Sequence, residues 1–132
     1  MTALSPSALH ELDTRLRQER KILLDAIREH LSGSDDPERL AMLNRLEETG
    51  DWLAVDLLKE TELAILSHEL ASLREIDAAL KRLQDGLTGQ CVVCEEAIPL
   101  ARLRANPAAL TCLSCQEDAE KKQRKLAPNP QA

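Results

Sequence analysis

Four cysteines in two close pairs are the residues of this chain best placed to do chemistry. They are Cys91-Val92-Val93-Cys94 and Cys112-Leu113-Ser114-Cys115, with 17 residues between the pairs. Two residues between ligands let a tight knuckle aim both sulfurs at one ion, and a second knuckle completes a tetrahedron. Four thiolates leave no open position for water or substrate, so the spacing predicts a single structural zinc ion rather than a catalytic one. In a reducing cytosol such pairs read as metal ligands and not as disulfides. His10, His30 and His68 stand alone in the sequence; with four sulfurs already satisfying zinc, they read as helix-face residues. No nucleophile–base pair and no open metal site accompany the cysteines, so the chain carries no signature of an enzyme.

The elements that must hold this site are helical. The 132 residues contain no Phe, no Tyr and a single Trp, at position 52. Leu, Ala, Ile and Val spread along the whole chain suit helix-on-helix seams better than one thick core. Ser5-Pro6-Ser7 starts a helix, and Leu9, Leu12, Leu16, Leu23 and Ala26, widened by Leu24, Ile27 and Leu31, carry it to about Leu31. Ser32-Gly33-Ser34-Asp35-Asp36-Pro37 breaks it with strong turn chemistry. A second helix with Leu40, Leu43 and Leu46 ends near Thr49-Gly50. Asp51 then caps a third, longer helix, in which Leu63, Leu66, Leu70, Leu73, Ile76, Leu80 and Leu83 continue the seam until Gly86 and Gly89 stop it. A charged helix from about Gln116 to Lys125 precedes a frayed tail. The expected fold is therefore mainly α. An antiparallel coiled-coil hairpin arm fills residues 1–84, and a four-cysteine zinc finger with a C-terminal helix fills 85–132. Any strands are short and confined to the zinc knuckles.

A formal net charge of −6 argues against nucleic-acid affinity as the driving force, because phosphate binding needs clustered Lys and Arg. Direct sequence-specific DNA binding is not expected, for want of a basic recognition helix. Arg102 with Arg104, and Lys121, Lys122, Arg124 and Lys125, are weak basic clusters that read first as solvated surface. No apolar run is long enough to span a membrane and no signal-peptide pattern opens the chain, so a cytoplasmic monomer is expected.

Ile76-Asp77-Ala78-Ala79-Leu80-Lys81-Arg82-Leu83, Asp85-Gly86, Gly89, the first cysteine pair, Ile98-Pro99, Arg102-Leu103, Pro107 and Cys112-Leu113-Ser114-Cys115-Gln116 together resemble the DksA/TraR family of bacterial zinc-finger transcription factors. Upstream, Gly50-Asp51-Trp52-Leu53-Ala54-Val55-Asp56-Leu57-Leu58 is similar to the acidic segment many members carry before the long helix. The likeness covers roughly residues 48–122. Glu95 stands where the family has Gly, and Thr88 where it has an aromatic residue; both departures touch knuckle packing more than ligation. The resemblance implies a protein that binds RNA polymerase and inserts a coiled-coil hairpin through its secondary channel. Acidic tip residues would modulate initiation there, often together with a stringent-response nucleotide, while the zinc end stays outside and helps dock. From another class, the competing reading is a zinc-stapled helical adaptor with a non-polymerase partner.

Carried onto this sequence, the tip acids are Asp51 and Asp56, with Ala54 between them and Glu48 just upstream. By residue type alone, Asp51 is a helix cap and Asp56 part of a solvated face. Arm balance favours a tip near 48–56: a turn at 49–51 leaves about 33 residues on the return arm against about 40 on the first, whereas a turn at 33–36 leaves about 25 against nearly 50. Turn chemistry favours 33–36, so both layouts stay open.

Overall fold

The structure, a computed structural model, describes residues 4–31 and 37–126, with the backbone alone at 54, 56, 57, 125 and 126. The candidate turn at 33–36, with Asp35 and Asp36, lies outside the described residues, as do the tail beyond 126 and the side chains of Ala54 and Asp56. The order is α1 (Pro6–Leu31), α2 (Pro37–Thr49), a 3-10 helix (Trp52–Leu57), α3 (Glu60–Gln84), α4 (Leu100–Ala105) and α5 (Leu113–Leu126).

Helix α1 starts where Ser5 caps it, its Oγ accepting from Ala8 N at 3.1 Å. Its buried face is Ala8, Leu12, Leu16, Leu24, Ile27 and Leu31, a run of three- and four-residue steps from which only position 20 is missing. Helix α3 answers with Leu66, Leu70, Leu73, Ile76 and Ala79, while Leu80 is half-buried. The two helices run antiparallel: His30 lies 3.9 Å from Glu69 and Arg20 2.7 Å from Asp77. Helix α3 ends at Gly86, which has φ +72. There Leu87 N bonds Arg82 O at 2.9 Å and Gly86 N bonds Leu83 O at 3.3 Å, the reverse-turn cap that glycine permits.

The distal half of the hairpin is three helices thick. Helix α2 buries Met42, Leu43 and Leu46 in one cluster with Leu24, Ile27 and Leu31 of α1 and Leu66, Leu70 and Leu73 of α3. Its start is pinned by Arg39, which donates to Glu62 (Nη2 to Oε1, 2.6 Å) at the beginning of α3. Its end reaches Arg20 of α1, which donates to Leu46 O at 2.7 Å and Glu47 O at 3.2 Å. The second helix therefore folds back along the first instead of extending it. Arm balance counts residues 37–49 as a continuation of the first arm; their apolar stripe is instead buried against α1 and α3 as a third helix.

This changes the place of the acidic segment. Trp52 Nε1 donates to Asp77 Oδ2 at 3.2 Å, and Asp77 lies seven residues from the end of α3 but 17 from its start. Thr49, Gly50 and Trp52 thus lie on the flank of the hairpin beside Arg74, Asp77 and Lys81 of α3. Nor does Asp51 cap the long helix. Its Oδ1 accepts from Leu53 N at 3.1 Å and opens the 3-10 helix, after which Leu58 and Lys59 are extended. Val55 and Leu58 are buried in the distal cluster, so packing, not helix propensity, sets this stretch.

Candidate metal centre

The zinc module is held from three sides. Arg82 of α3 donates to Leu87 O at 3.1 Å and Gln90 O at 2.6 Å. Arg102 of α4 donates to Thr111 O at 3.0 Å and to the Gln116 side chain, so it is a staple between α4 and the second knuckle and not part of a free basic patch. Arg104 pairs with Glu11 of α1 at 3.3 Å, and its carbonyl accepts from Arg15. An apolar cluster of Leu12, Cys91, Ile98 and Leu103, with Leu4, Ala109, Cys112 and Cys115 against it, seats the metal site on α1.

The first knuckle follows from backbone pairing. A single antiparallel bridge joins Gln90 and Ala97, Cys91 N bonds Glu96 O at 2.8 Å and Ile98 N bonds Gly89 O at 2.6 Å. To reverse this tightly the chain takes φ +66 at Glu95, a conformation glycine adopts freely and other residues rarely. At Gly89, with φ +88, an added Cβ would meet Leu4 Cδ1 at 3.2 Å, so this glycine also permits close packing. Val93 N points at Cys91 Sγ, 3.4 Å away, the kind of N–H that steadies a thiolate. In the second knuckle Cys115 rides on the first turn of α5, with Gln116 N bonded to Cys112 O at 3.0 Å. Val92 N to Leu110 O, 2.9 Å, ties the two knuckles together.

The four Sγ atoms lie within 4.8 Å of one another, and Cys94 Sγ is 3.7 Å from Cys112 Sγ. A tetrahedron with zinc–sulfur bonds of about 2.3 Å has edges of about 3.8 Å, so the sulfurs fit one zinc ion. The thiols are free and their spacing is far beyond the roughly 2.05 Å of a disulfide. Their protonation also fits. The backbone N–H of Cys94 heads the interactions that bring the Cys91 thiol down to about 6. The Cys115 thiol is pushed up, first by its contacts with the Cys112 and Cys94 side chains. Thiols this crowded cannot all ionise unless a cation shares their charge. Among the described residues, these four form the one cluster able to hold a metal.

The remaining sequence candidates fall elsewhere. Asp51 is half-buried as the cap of the 3-10 helix. Ala54 and Asp56 lie on that same helix. Arg20, which no motif singles out, and Asp77 of the family-like block prove central to the arm, with side chains 17% and 21% exposed. They bond each other across the α1–α3 seam, Asp77 also takes the Trp52 N–H, and Arg74 lies over the Trp52 ring, 4.6 Å from its centroid. The signal was present in the spacing: Leu12, Leu16, Arg20 and Leu24 fall on one stripe.

A helical hairpin closed at its base by a four-cysteine zinc module defines a C4 zinc-finger protein of mainly α architecture. Residues 86–121 match the model of the prokaryotic dksA/traR C4-type zinc finger. Over 124 residues the chain is 32% identical to an uncharacterized protein of Aquifex aeolicus, covering 92% of this chain and 82% of that one. It is 38% identical over 63 residues to the RNA polymerase-binding transcription factor DksA of Caulobacter vibrioides, an alignment that takes in 48% of this chain and 44% of that protein. The solved structure of transcription factor DksA2 from Pseudomonas aeruginosa superposes with a TM-score of 0.60 at 28% identity, covering 91% of this chain and 88% of that one. The chain belongs to the DksA/TraR family.

Proposed function

We propose that this protein binds bacterial RNA polymerase and modulates transcription initiation, with its helical arm entering the secondary channel and its zinc end docking outside. The observation that carries this reading is the likeness to DksA2 over nine-tenths of the chain, arm and zinc module together. Zinc is structural in this scheme, and the protein contributes no catalytic group of its own. A stringent-response nucleotide would act at the assembled complex.

Within this reading Asp51 and Asp56, with Ala54 between them, are the effector candidates. The test separates docking from effect. Zinc-loaded protein is titrated against purified polymerase, and promoter output is measured in parallel for the Asp51→Asn, Asp56→Asn double variant. Asparagine nearly preserves the shape and capping ability of aspartate, so binding should stay within about tenfold, two exposed charges being a small part of the whole interface. Output should lose most of its response. Unchanged output would remove the acids from the mechanism, and absence of polymerase binding by the parent protein would remove the mechanism itself. One observation favours the adaptor reading instead: the hairpin flank carries Trp52. Recovery of a different stoichiometric partner, with no polymerase, would establish that alternative.

A further inference from the structure

A cavity of about 340 Å³ lies where the base of the hairpin meets the zinc module. Leu4, Leu9, Leu83 and Leu87 make its apolar wall, and Thr88 and Glu95 belong to its polar side. Its size falls at the lower end of the roughly 300–1,000 Å³ of small-molecule sites, which are likewise mostly apolar with a few polar groups.

Two features of this wall are unfavourable in isolation. Thr88 Oγ1 is shut off from solvent and has no hydrogen-bond partner, although buried hydroxyls are ordinarily paired. Glu95 holds φ +66. The knuckle explains that backbone angle, since Glu95 N must reach Cys91 O at 3.0 Å and Cys91 N must reach Glu96 O. It does not explain a carboxylate there, because glycine would make the same turn without strain. Among the described residues no hydrogen bond or ion pair engages the Glu95 carboxylate. The neighbouring cation, Arg82, is already engaged with Leu87 O and Gln90 O. An apolar chamber is thus bordered by one exposed carboxylate without a protein partner, Glu95.

We propose that this cavity binds a small organic cation. Its apolar body sits among the leucines and its ammonium head meets Glu95. The proposal is independent of polymerase binding. The probe is phenethylammonium, with phenethyl alcohol as the neutral analogue of the same shape. Each is titrated into the ¹⁵N-labelled, zinc-loaded full chain while amide shifts are followed.

Saturable shifts at residues 86–90 and 95–97 are expected, with tighter binding of the amine. Ala97→Trp, built on an exposed lining residue, should fill the chamber and abolish the shifts. Glu95→Gly keeps the turn and should weaken the amine about two- to fivefold, the scale of a solvent-exposed charge pair, while leaving the alcohol unchanged. The proposal is overturned by unsaturable or scattered shifts, by equal affinity for amine and alcohol in the parent, or by full amine affinity in Glu95→Gly.

Discussion

Replacing Arg20 by Met tests whether the polar layer holds the arm in the three-helix arrangement. Arg20 occupies a seam position and makes three bonds, to Asp77 Oδ1 at 2.7 Å, Leu46 O at 2.7 Å and Glu47 O at 3.2 Å. The change keeps the aliphatic stem but removes all three, leaving Asp77 half-buried without its cation and the end of α2 without a donor. Hydrogen bonds to charged groups contribute about 1.5–3 kcal/mol each, and stranding one partner of a fully buried pair costs about 3–5 kcal/mol. With side chains still about one-fifth exposed, water recovers part of that, and a net loss of about 2–4 kcal/mol is expected. Because Trp52 is the only Trp and bonds Asp77 directly, its emission reports the node while far-UV dichroism reports total helix. The decisive comparison is Arg20→Met with the Arg20→Met, Asp77→Leu double variant. The double variant removes more native bonds, yet it strands no charge and should be the more stable of the two. If Arg20→Met costs less than about 0.5 kcal/mol, within the range of ordinary surface changes, the node does not hold the arm. A double variant less stable than the single would show that desolvated charge is not what matters there.

Three other outcomes follow from the same geometry. Cys112→Ser should release the zinc and unravel residues 86–118, while metal analysis and dichroism find the α1–α3 seam largely intact; retention of one zinc per chain would contradict the four-sulfur site. The Glu62 carboxyl is lowered to about 2, chiefly by the Arg39 side chain and further by Lys59 N–H at 3.0 Å. Its stabilising effect is complete above about 4.5 and lost as pH falls from there towards 2. Arg39→Gln should flatten that part of the acid-unfolding curve, and an unaltered curve would show that the pair is not linked to folding. Glu95→Gly relieves a left-handed residue worth about 1–2 kcal/mol, against roughly 0.5–1 kcal/mol of added chain entropy. A small gain in thermal stability is therefore expected, and a clear loss would mean that the Glu95 side chain stabilises the knuckle.

The zinc site was legible in the sequence because its information is local: two residues between ligands suffice to shape a knuckle. Helix α1, the end of α2 at Gly50 and the end of α3 at Gly86 were legible for a similar reason, being set by capping residues and period. The return path of α2 was not. A stripe such as Leu43 and Leu46 says that one face is buried but not against which neighbour, and a break before Pro37 looks the same for a kink and for a reversal. The 3-10 stretch escaped because Asp51 is an equally good cap for a short helix and a long one. What made it short is the burial of Val55 and Leu58 among side chains up to 34 positions away. Arg20 stands at a seam position of α1, but its charge gives no sign in the sequence of the partner, Asp77, 57 residues away.

The fastening of the first helix by the last third of the chain has a consequence for biosynthesis. Arg15 and Arg104 are 89 residues apart, and Arg104 and Glu11 are 93 apart. At about 5–20 residues per second of translation, α1 emerges some 4–18 s before the module that covers Leu12 exists. For that interval the Leu12 end of the N-terminal helix stays uncovered, and the ribosome-bound fragment is more exposed there to chaperones and proteases than the finished protein.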